Sequence, residues 1–278
     1  QFFTPRETAE YCYNKFKEIL CKYNDRESDY NYIEPSAGNG NFLKVLPVDR
    51  RIGLDIEPKD KEIKKIPDYL SWEPTDINKK YIVIGNPPFG LRGQLALKFI
   101  NHSSKFADYV CFILPQLFES DGKGVPRKRV VKDYNLIHSE KLNTDFIDPD
   151  SNSIKVECIF QVWSKNHTDP KYDIKKINTS IIKIYSLSDG GTPSTTRNKK
   201  MFDKCDIYLP STCFGKDNMR YYESFKELPG RKGYGMVFNK NKKKNIEKFK
   251  TIDWPNVGFL STNSAYNIRT SQISEQFN

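Results

Sequence analysis

Short apolar runs separated by polar turns dominate the first 115 residues. The runs are YIEPS (32–36), RIGLDI (51–56), YIVIG (81–85) and YVCFILP (109–115). Each is followed by a turn or by a helix-like stretch such as QLALKFINHSSKF (94–106). Strands that alternate with helices in this way are typical of a mostly parallel sheet covered on both faces. We therefore predict an α/β fold with a mostly parallel central sheet.

The N-terminus carries the signature of a helix start. Thr4 is placed to cap the helix, Pro5 to occupy its first position, and Glu7 to close a capping box. Apolar and aromatic residues then recur at helical spacing, at Ala9, Tyr13, Phe16, Leu20 and Tyr23. This pattern predicts an amphipathic helix over residues 5–23.

A longer alternating run, IKVECIFQVWSK (154–165), occurs later in the chain. Apolar residues occupy every second position, which predicts a long strand, antiparallel and late in the sheet. The next segment, NHTDPKYD (166–173), is polar, contains a proline, and is interpreted as a linker. We therefore predict two domains, residues 1–168 and a smaller one of residues 169–278.

The formal net charge of +10 lies entirely in the C-terminal part of the chain. Residues 1–170 hold 25 Lys and Arg against 25 Asp and Glu, whereas residues 171–278 hold 20 against 10. A neutral region followed by a basic one suggests a chemical domain joined to a docking domain for a polyanion. A lysine-rich solvated surface would give the same count, so charge alone leaves both interpretations open.

Hydropathy and cysteine spacing argue against several classes of protein. No run approaches eighteen apolar residues, and the first residues lack the layout of a secretory signal, so we expect a soluble intracellular protein without a membrane partner. Six cysteines show no C-x-x-C spacing, and only three histidines accompany them. This argues against a zinc site or a disulfide framework and predicts reduced, mostly buried thiols.

A glycine-rich segment, IEPSAGNGNFL (33–43), begins in the first predicted strand. Gly38 and Gly40 allow a tight turn and the close approach of a ligand, and we expect a helix to begin near Asn41. The segment is neither a G-x-G-x-x-G fingerprint, because residue 43 is Leu, nor a P-loop, because no G-K-[ST] comes after it. Glu34 argues for a cationic or hydroxyl-bearing ligand rather than a phosphate. A purely structural turn is the alternative.

Acidic residues stand at two further strand ends. Asp55 ends the second predicted strand, about twenty positions past the glycine loop, where an acidic residue accepts hydrogen bonds from ribose hydroxyls. Asp76 lies just before the YIVIG strand and is placed to reach an adenine amino group. Each alone would be interpreted as a solvated cap or turn, but together with Glu34 they favour a nucleotide-type ligand.

The YIVIG strand stops at NPPF (86–89). Pro87 and Pro88 offer no N–H to a sheet and have fixed φ angles, so they end the strand and stiffen the turn beyond it. The strand thus delivers the Asn86 amide, the Pro87 carbonyl and the Phe89 ring to its carboxyl end. The alternative is a strand-ending proline turn with Asn86 as a cap.

Taken in order, FFTP (2–5), EPSAGNG (34–40), Asp55, Asp76 and NPPF resemble the motif series of S-adenosylmethionine-dependent adenine-N6 DNA methyltransferases. The order is that of the group in which cofactor motifs precede the catalytic tetrapeptide and a target-recognition domain comes last. The resemblance covers residues 2–163. For the residues after 163 it depends only on the order of the domains. Similar N-P-P-aromatic tetrapeptides occur in ribosomal-RNA base methyltransferases and in protein-glutamine methyltransferases.

The resemblance implies a Rossmann-like methyltransferase fold, S-adenosylmethionine as cofactor and no metal. The cofactor-binding residues it implies are Phe3, Thr4, Pro5, Glu34, Pro35, Ala37, Gly38, Gly40, Asp55, Asp76, Ile77 and Asn86. Phe3, Thr4 and Pro5 would contact the cofactor, and Glu34 with the glycine loop would hold its methionine end. Asp55 would bind the ribose, and Asp76, with Ile77 against the ring, the adenine. Ile77 stands where such enzymes can carry a larger aromatic.

The catalytic residues implied are Asn86, Pro87, Pro88 and Phe89. An exocyclic amino group on an aromatic ring is a poor nucleophile because its lone pair is delocalised. If Asn86 Oδ1 and the Pro87 carbonyl accept its N–H groups, the nitrogen becomes more tetrahedral and its lone pair points at the methyl donor. Phe89 would stack on a base extruded from the duplex, and Phe146 would pack on the same base.

We therefore predict a site-specific adenine DNA methyltransferase that produces N6-methyladenine, acts on double-stranded DNA, and is located in the cytoplasm or nucleoid. A cognate restriction enzyme is a candidate partner. The first alternative is an RNA base methyltransferase, which would use the basic domain on folded RNA. A protein-glutamine methyltransferase is the second, although it has little use for a basic domain. A non-catalytic nucleic-acid-binding subunit is a third, against which the intact NPPF argues.

Overall fold

The computed structural model describes residues 3–119, 125–147, 153–155, 157–173, 180–261 and 264–277. The chain separates into an N-terminal unit, Gln1–Ile174, and a C-terminal unit, Lys175–Asn278. The sequence prediction placed the boundary between residues 168 and 169. No helix in the described part of the chain is long and apolar enough to span a membrane.

The N-terminal unit is built on one twisted sheet. Its helices are α1 (Arg6–Lys22) and α2 (Gln94–Ser103). Its strands are β1 (Tyr30–Glu34), β2 (Arg51–Asp55), β3 (Ile63–Lys65), β4 (Lys80–Gly85), β5 (Tyr109–Pro115), β6 (Asn135–Leu142), β7 (Asp145–Ile147), β8 (Ser153–Lys155) and β9 (Cys158–Ser164). Seven of these described strands form a sheet in the order β3-β2-β1-β4-β5-β9-β6.

Strands β1 to β5 run parallel, and β9 is antiparallel to both of its neighbours, β5 and β6. The predicted α/β fold with a Rossmann-like, mostly parallel central sheet and a smaller basic C-terminal domain is confirmed. The predicted strand over 154–165 is divided into β8, which pairs with β7, and β9 in the main sheet. Residue 156, between the two, lies outside the described residues.

Both faces of the sheet are covered by apolar side chains. Along β4, Ile82 and Ile84 pack on one face with Phe16 of α1, whereas Val83 packs on the other face with Ile100 of α2. All five side chains are fully buried. Strands buried on both faces are uninterrupted apolar runs, which is why the YIVIG segment was recognisable from sequence.

Helix α1 begins one residue later than its predicted start, and Thr4 does not cap it. Pro5 immediately precedes the helix, and no side chain caps its N-terminus. The predicted capping box is therefore wrong. The reason is tertiary, since the Thr4 hydroxyl is engaged by Asn86, the residue directly after β4.

The C-terminal unit contains short helices and antiparallel strands. The helices are α3 (Lys242–Thr251), α4 (Trp254–Val257) and α5 (Thr270–Glu275). The strands are β10 (Ile182–Ser188), β11 (Ile207–Pro210), β12 (Thr212–Phe214), β13 (Lys232–Phe238), β14 (Phe259–Leu260) and β15 (Ala265–Asn267). They form sheets in the orders β10-β13-β11 and β12-β15-β14. Phe249 of α3 and Trp254 of α4 pack in its core, with ring centroids 4.3 Å apart.

Candidate functional site

A cavity of about 640 Å³ opens at the carboxyl ends of the parallel strands. Strand β1 lies between β2 and β4, so the loops after these strands diverge and leave a crevice at that edge. The loops contribute Glu34, Pro35, Ser36, Ala37, Gly38, Asn39, Asp55, Ile56, Glu57, Ile66, Asp68, Tyr69, Asn86, Pro87, Pro88, Phe89 and Gly90. The rest of the lining is Phe3, Thr4, Asn41, Phe42, Leu95, Phe99, Phe146 and Cys158.

The glycine loop after β1 has the tight conformation that its sequence predicts. Gly38 has φ 54°, and a Cβ at this position would lie 3.2 Å from ring atoms of Phe3. Its N–H donates to Asp55 Oδ2 at 2.7 Å, while Glu57 N donates to Asp55 Oδ1 at 2.8 Å. The buried Asp55 carboxylate therefore holds the loop while it lines the cavity. The α-helix predicted to begin near Asn41 is wrong, because the chain there forms only a 3₁₀ turn, Leu43–Val45.

Glu34 ends β1 with its carboxyl group buried, the residue being only 2% exposed. Among the described residues, no hydrogen-bond partner reaches its Oε2. Burial raises the pKa of this carboxyl well above its usual range, and the nearby Asp55 carboxylate raises it further. A ligand group that is positively charged or donates a hydrogen bond would give Oε2 a partner and lower this pKa.

Asn86, directly after β4, is held at both its backbone and its side chain. Its carbonyl accepts a hydrogen bond from Ser36 Oγ at 3.1 Å, and its Nδ2 donates to Thr4 Oγ1 at 3.2 Å. The backbone carbonyl of Thr4 in turn accepts from Asn41 Nδ2 at 2.7 Å. Because the nitrogen end of the Asn86 amide is bound to Thr4, the oxygen end is the one that a ligand can meet.

Aromatic rings line the cavity beside Asn86. Phe89 is half-buried, and Phe146, on β7, is 2% exposed. Strand β7 is tied to the N-terminal segment, since Phe3 N donates to the Ile147 carbonyl at 2.7 Å and Ile147 N donates to the Phe3 carbonyl at 3.0 Å. The structure therefore brings Phe3, Thr4, the glycine loop, NPPF and Phe146 around one space. Phe2 of the FFTP motif lies outside the described residues.

Four residues that were predicted to bind the cofactor do not line the cavity: Pro5, Gly40, Asp76 and Ile77. Asp76 and Ile77 belong to the turn before β4, where Asp76 Oδ1 accepts from Asn78 N and the Ile77 side chain is 86% exposed. Residues that precede a parallel strand lie at its amino end, opposite the cavity, so this pair cannot contact a ligand held at the carboxyl ends.

Sequence reasoning missed Asp68, a further acidic residue that lies at the cavity. Asp68 and Tyr69 come after β3, whose three residues include one buried apolar side chain, Ile63. So short an edge strand gives little periodic signal, although the order apolar, Pro, Asp, Tyr in IPDY repeats the pattern of a strand end. Ile56, which is 62% exposed yet lines the cavity, was missed because it closes an apolar run interpreted as strand.

Cys158 is the thiol that lines the cavity. Burial raises its pKa to about 12, so it is a neutral thiol near pH 7 and a weak nucleophile. In the described part of the chain, no group of three or more His, Cys, Asp or Glu side chains is arranged to hold a metal ion. The chemistry that the described cavity offers is therefore that of fixed hydrogen-bond acceptors, buried carboxyl groups and aromatic faces.

No protein-family model matches the chain, and no curated protein matches it. Solved structures do resemble it. One from Pyrococcus horikoshii, described as an RNA methyltransferase, is 18% identical with TM-score 0.43, over 59% of this chain and 86% of that one. Another is described as a type I restriction enzyme modification subunit from Vibrio vulnificus YJ016. It is 12% identical with TM-score 0.42, and the match covers 73% of this chain and 51% of that one. The structure of the 23S rRNA methyltransferase ErmE is 14% identical with TM-score 0.38, and the match covers 60% of this chain and 71% of that one. The chain thus spans about half the length of the Vibrio protein.

Proposed function

We propose that this protein is an S-adenosylmethionine-dependent methyltransferase that methylates N6 of adenine in double-stranded DNA. The observation that carries the proposal is the position of Asn86. Asn86 and the adjoining proline turn line the same cavity as the glycine loop and Glu34, whose Oε2 has no hydrogen-bond partner among the described residues. A cavity of about 640 Å³ is within the range of small-molecule and cofactor sites.

The cofactor would lie along the carboxyl ends of β1, β2 and β3. Glu34 Oε2 would receive the positively charged methionine end beside the Gly38 backbone, which suits a buried acceptor without a partner. Asp55 has lone pairs left for ribose hydroxyls after accepting its two backbone hydrogen bonds. Asp68 would accept the adenine amino group, and Ile56 would cover the ring. This arrangement replaces the predicted Asp76 and Ile77.

When bound, S-adenosylmethionine supplies an electrophilic methyl group on a sulfonium. The protein's part is to prepare the attacking amino nitrogen. Asn86 Oδ1 and the Pro87 carbonyl would accept its two N–H groups, which withdraws the lone pair from the ring and directs it at the methyl carbon. The cofactor would supply the methyl group and leave as a neutral thioether, and the methylated nitrogen would lose one N–H proton to solvent. These acceptors need no reorganisation, because Thr4 and Ser36 already hold Asn86.

Phe89 and Phe146 would hold the target base after it leaves the duplex. Extrusion costs a few kcal/mol of lost stacking and pairing, which contacts with aromatic faces offset. Phe146, on β7, is fully buried in the apolar core, so its ring is rigidly placed. Rigid rings stabilise one base orientation at low entropic cost.

The C-terminal unit would serve target recognition. Helix α3 packs Phe249 into the core and exposes Lys243, Lys244 and Lys248 on its outer face. A helix that is apolar on one side and lysine-rich on the other is suited to phosphate contacts. The excess of basic residues in this part of the chain supports the same role.

The test is methyl transfer from tritiated S-adenosylmethionine to duplex DNA, ribosomal RNA and a protein mixture, with the labelled product identified by digestion and mass spectrometry. We expect N6-methyladenine in DNA. Preferential labelling of RNA or of glutamine would refute the substrate assignment. Asn86→Ala should abolish transfer while binding of S-adenosylhomocysteine, measured by calorimetry, stays within about twofold. Asn78→Ala, at an exposed asparagine in the turn before β4, is the matched control.

A further inference from the structure

The loop Gly90–Gly93 connects NPPF to α2 in a locked conformation. Gly90, Arg92 and Gly93 have φ of 66°, 53° and 70°. A Cβ at Gly90 would lie 2.7 Å from Leu95 Cβ, and one at Gly93 would lie 2.8 Å from Phe118 Cε2. Both ends of the loop are therefore packed against the body of the unit. Leu91, between them, is directed into solvent and is 84% exposed.

Basic side chains lie on the loop that carries this exposed leucine and on the 3₁₀ helix packed against that loop. The 3₁₀ helix Pro126–Arg129 packs on the loop, since a Cβ at Gly93 would lie 3.5 Å from Pro126 Cγ and Arg129 Nη2 donates to the Gln94 side chain. Residues 125–133 hold four Lys or Arg and one Asp. Lys128, Arg129 and Arg92 are exposed. This concentration is local, because residues 1–170 as a whole have no net charge.

An exposed leucine alone has no significance, and neither does a single lysine. Here a rigidly presented apolar side chain and a basic cluster adjoin the cavity itself, because Gly90 and Leu95 belong to its lining. Positive charge around an apolar tip complements a polyanion that has an apolar interior, which is the composition of a nucleic-acid duplex. An uncharged apolar partner would gain nothing from the cations.

We propose that Leu91, Arg92, Lys128 and Arg129 form a surface, here called the rim surface, that holds the DNA duplex at the mouth of the cavity. Arg92, Lys128 and Arg129 bind backbone phosphates. Leu91 enters the base stack and fills the space left by the extruded base. This proposal rests on the proposed function and extends it, since it makes the catalytic unit itself a site of duplex binding and base extrusion.

The leucine is tested with a duplex that contains the methylated sequence, found by modified-base sequencing of DNA from expressing cells. Leu91→Ala should lower the methylation rate on the paired duplex by about tenfold. It should match wild type when the target adenine faces an abasic site, because an unpaired base is extruded at little cost. With 2-aminopurine at the target position, the fluorescence increase on binding should also fall, without any need for methyl transfer. Val48→Ala, at another exposed aliphatic residue (76%), is the control.

The basic residues are tested by the salt dependence of binding to duplex DNA, measured by fluorescence anisotropy. Arg92→Gln and Lys128→Gln should each reduce the slope of log K against log salt by about 0.9. Arg26→Gln, at an arginine 84% exposed elsewhere on the unit, should leave it unchanged. Equal slopes for all variants, or an equal Leu91→Ala defect on paired and unpaired targets, would overturn the proposal. Absence of any methylated sequence would instead refute the proposed function, and the binding slopes would still test the rim surface on generic duplex DNA.

Discussion

Thr4→Val replaces the hydroxyl that accepts a hydrogen bond from Asn86 Nδ2 with a methyl group of similar size. The backbone carbonyl of Thr4 keeps its hydrogen bond from Asn41, so the N-terminal segment should stay in place. The substitution therefore isolates one contact at the proposed catalytic amide. Without it, the Asn86 amide can turn and present its nitrogen, which would repel a substrate amino group.

The size of the effect depends on burial. Thr4 is 6% exposed and Asn86 is half-buried, so an unpaired Nδ2 keeps some access to water. A neutral hydrogen bond in such a place contributes about 1 kcal/mol. If that energy restrains the orientation of the amide, kcat should fall about fivefold, since a tenfold change corresponds to about 1.4 kcal/mol.

The assay compares kcat for DNA methylation with the affinity for S-adenosylhomocysteine. We expect Thr4→Val to lower kcat alone and Thr4→Ser, which keeps the hydroxyl, to retain it. Thr8→Val is the matched control, because Thr8 is equally buried and its hydroxyl lies 2.6 Å from that of Thr144 rather than near Asn86. The side-chain amide resonances of Asn86 give a readout independent of activity and should shift only in Thr4→Val. An unchanged kcat with weaker ligand binding would show that Thr4 contacts the cofactor instead of orienting Asn86.

Three further predictions concern the cavity and the loop beside it. Asp68→Asn should weaken binding of S-adenosylhomocysteine by about tenfold in calorimetry, and by more than Asp76→Asn does; the reverse order would favour Asp76 as the adenine contact. Because burial raises the pKa of Glu34, the ligand-free protein should lose stability as pH rises from about 4.5 through the raised pKa. Glu34→Gln should abolish this loss and raise Tm at pH 7.5. A lower Tm for this variant would refute the burial argument. Gly93→Ala should cost roughly 2–4 kcal/mol in urea unfolding, because a positive φ and a clash with the Phe118 ring add together. Gly191→Ala, also at positive φ but with no atom within 4 Å, isolates the cost of the backbone conformation.

The fold and half of the cavity were predictable from local patterns. Buried parallel strands are continuous apolar runs, so YIEPS, RIGLDI, YIVIG and YVCFILP were all identified as strands. Their carboxyl ends meet at one edge of the sheet, and this brings together the residues that come directly after them. Glu34, Asp55 and the NPPF segment meet at the cavity for that reason alone.

The rest depended on contacts between residues far apart in the chain. A short edge strand with one buried residue, β3, decides that Asp68 rather than Asp76 reaches the cavity. Thr4 has the local pattern of a helix cap, but its hydroxyl instead accepts from Asn86, 82 residues away. Local patterns specify strands and turns because those depend on neighbouring residues. Which hydroxyl orients which amide is decided by packing, because the competing partners are brought within 3.2 Å only when the sheet and the N-terminal segment assemble.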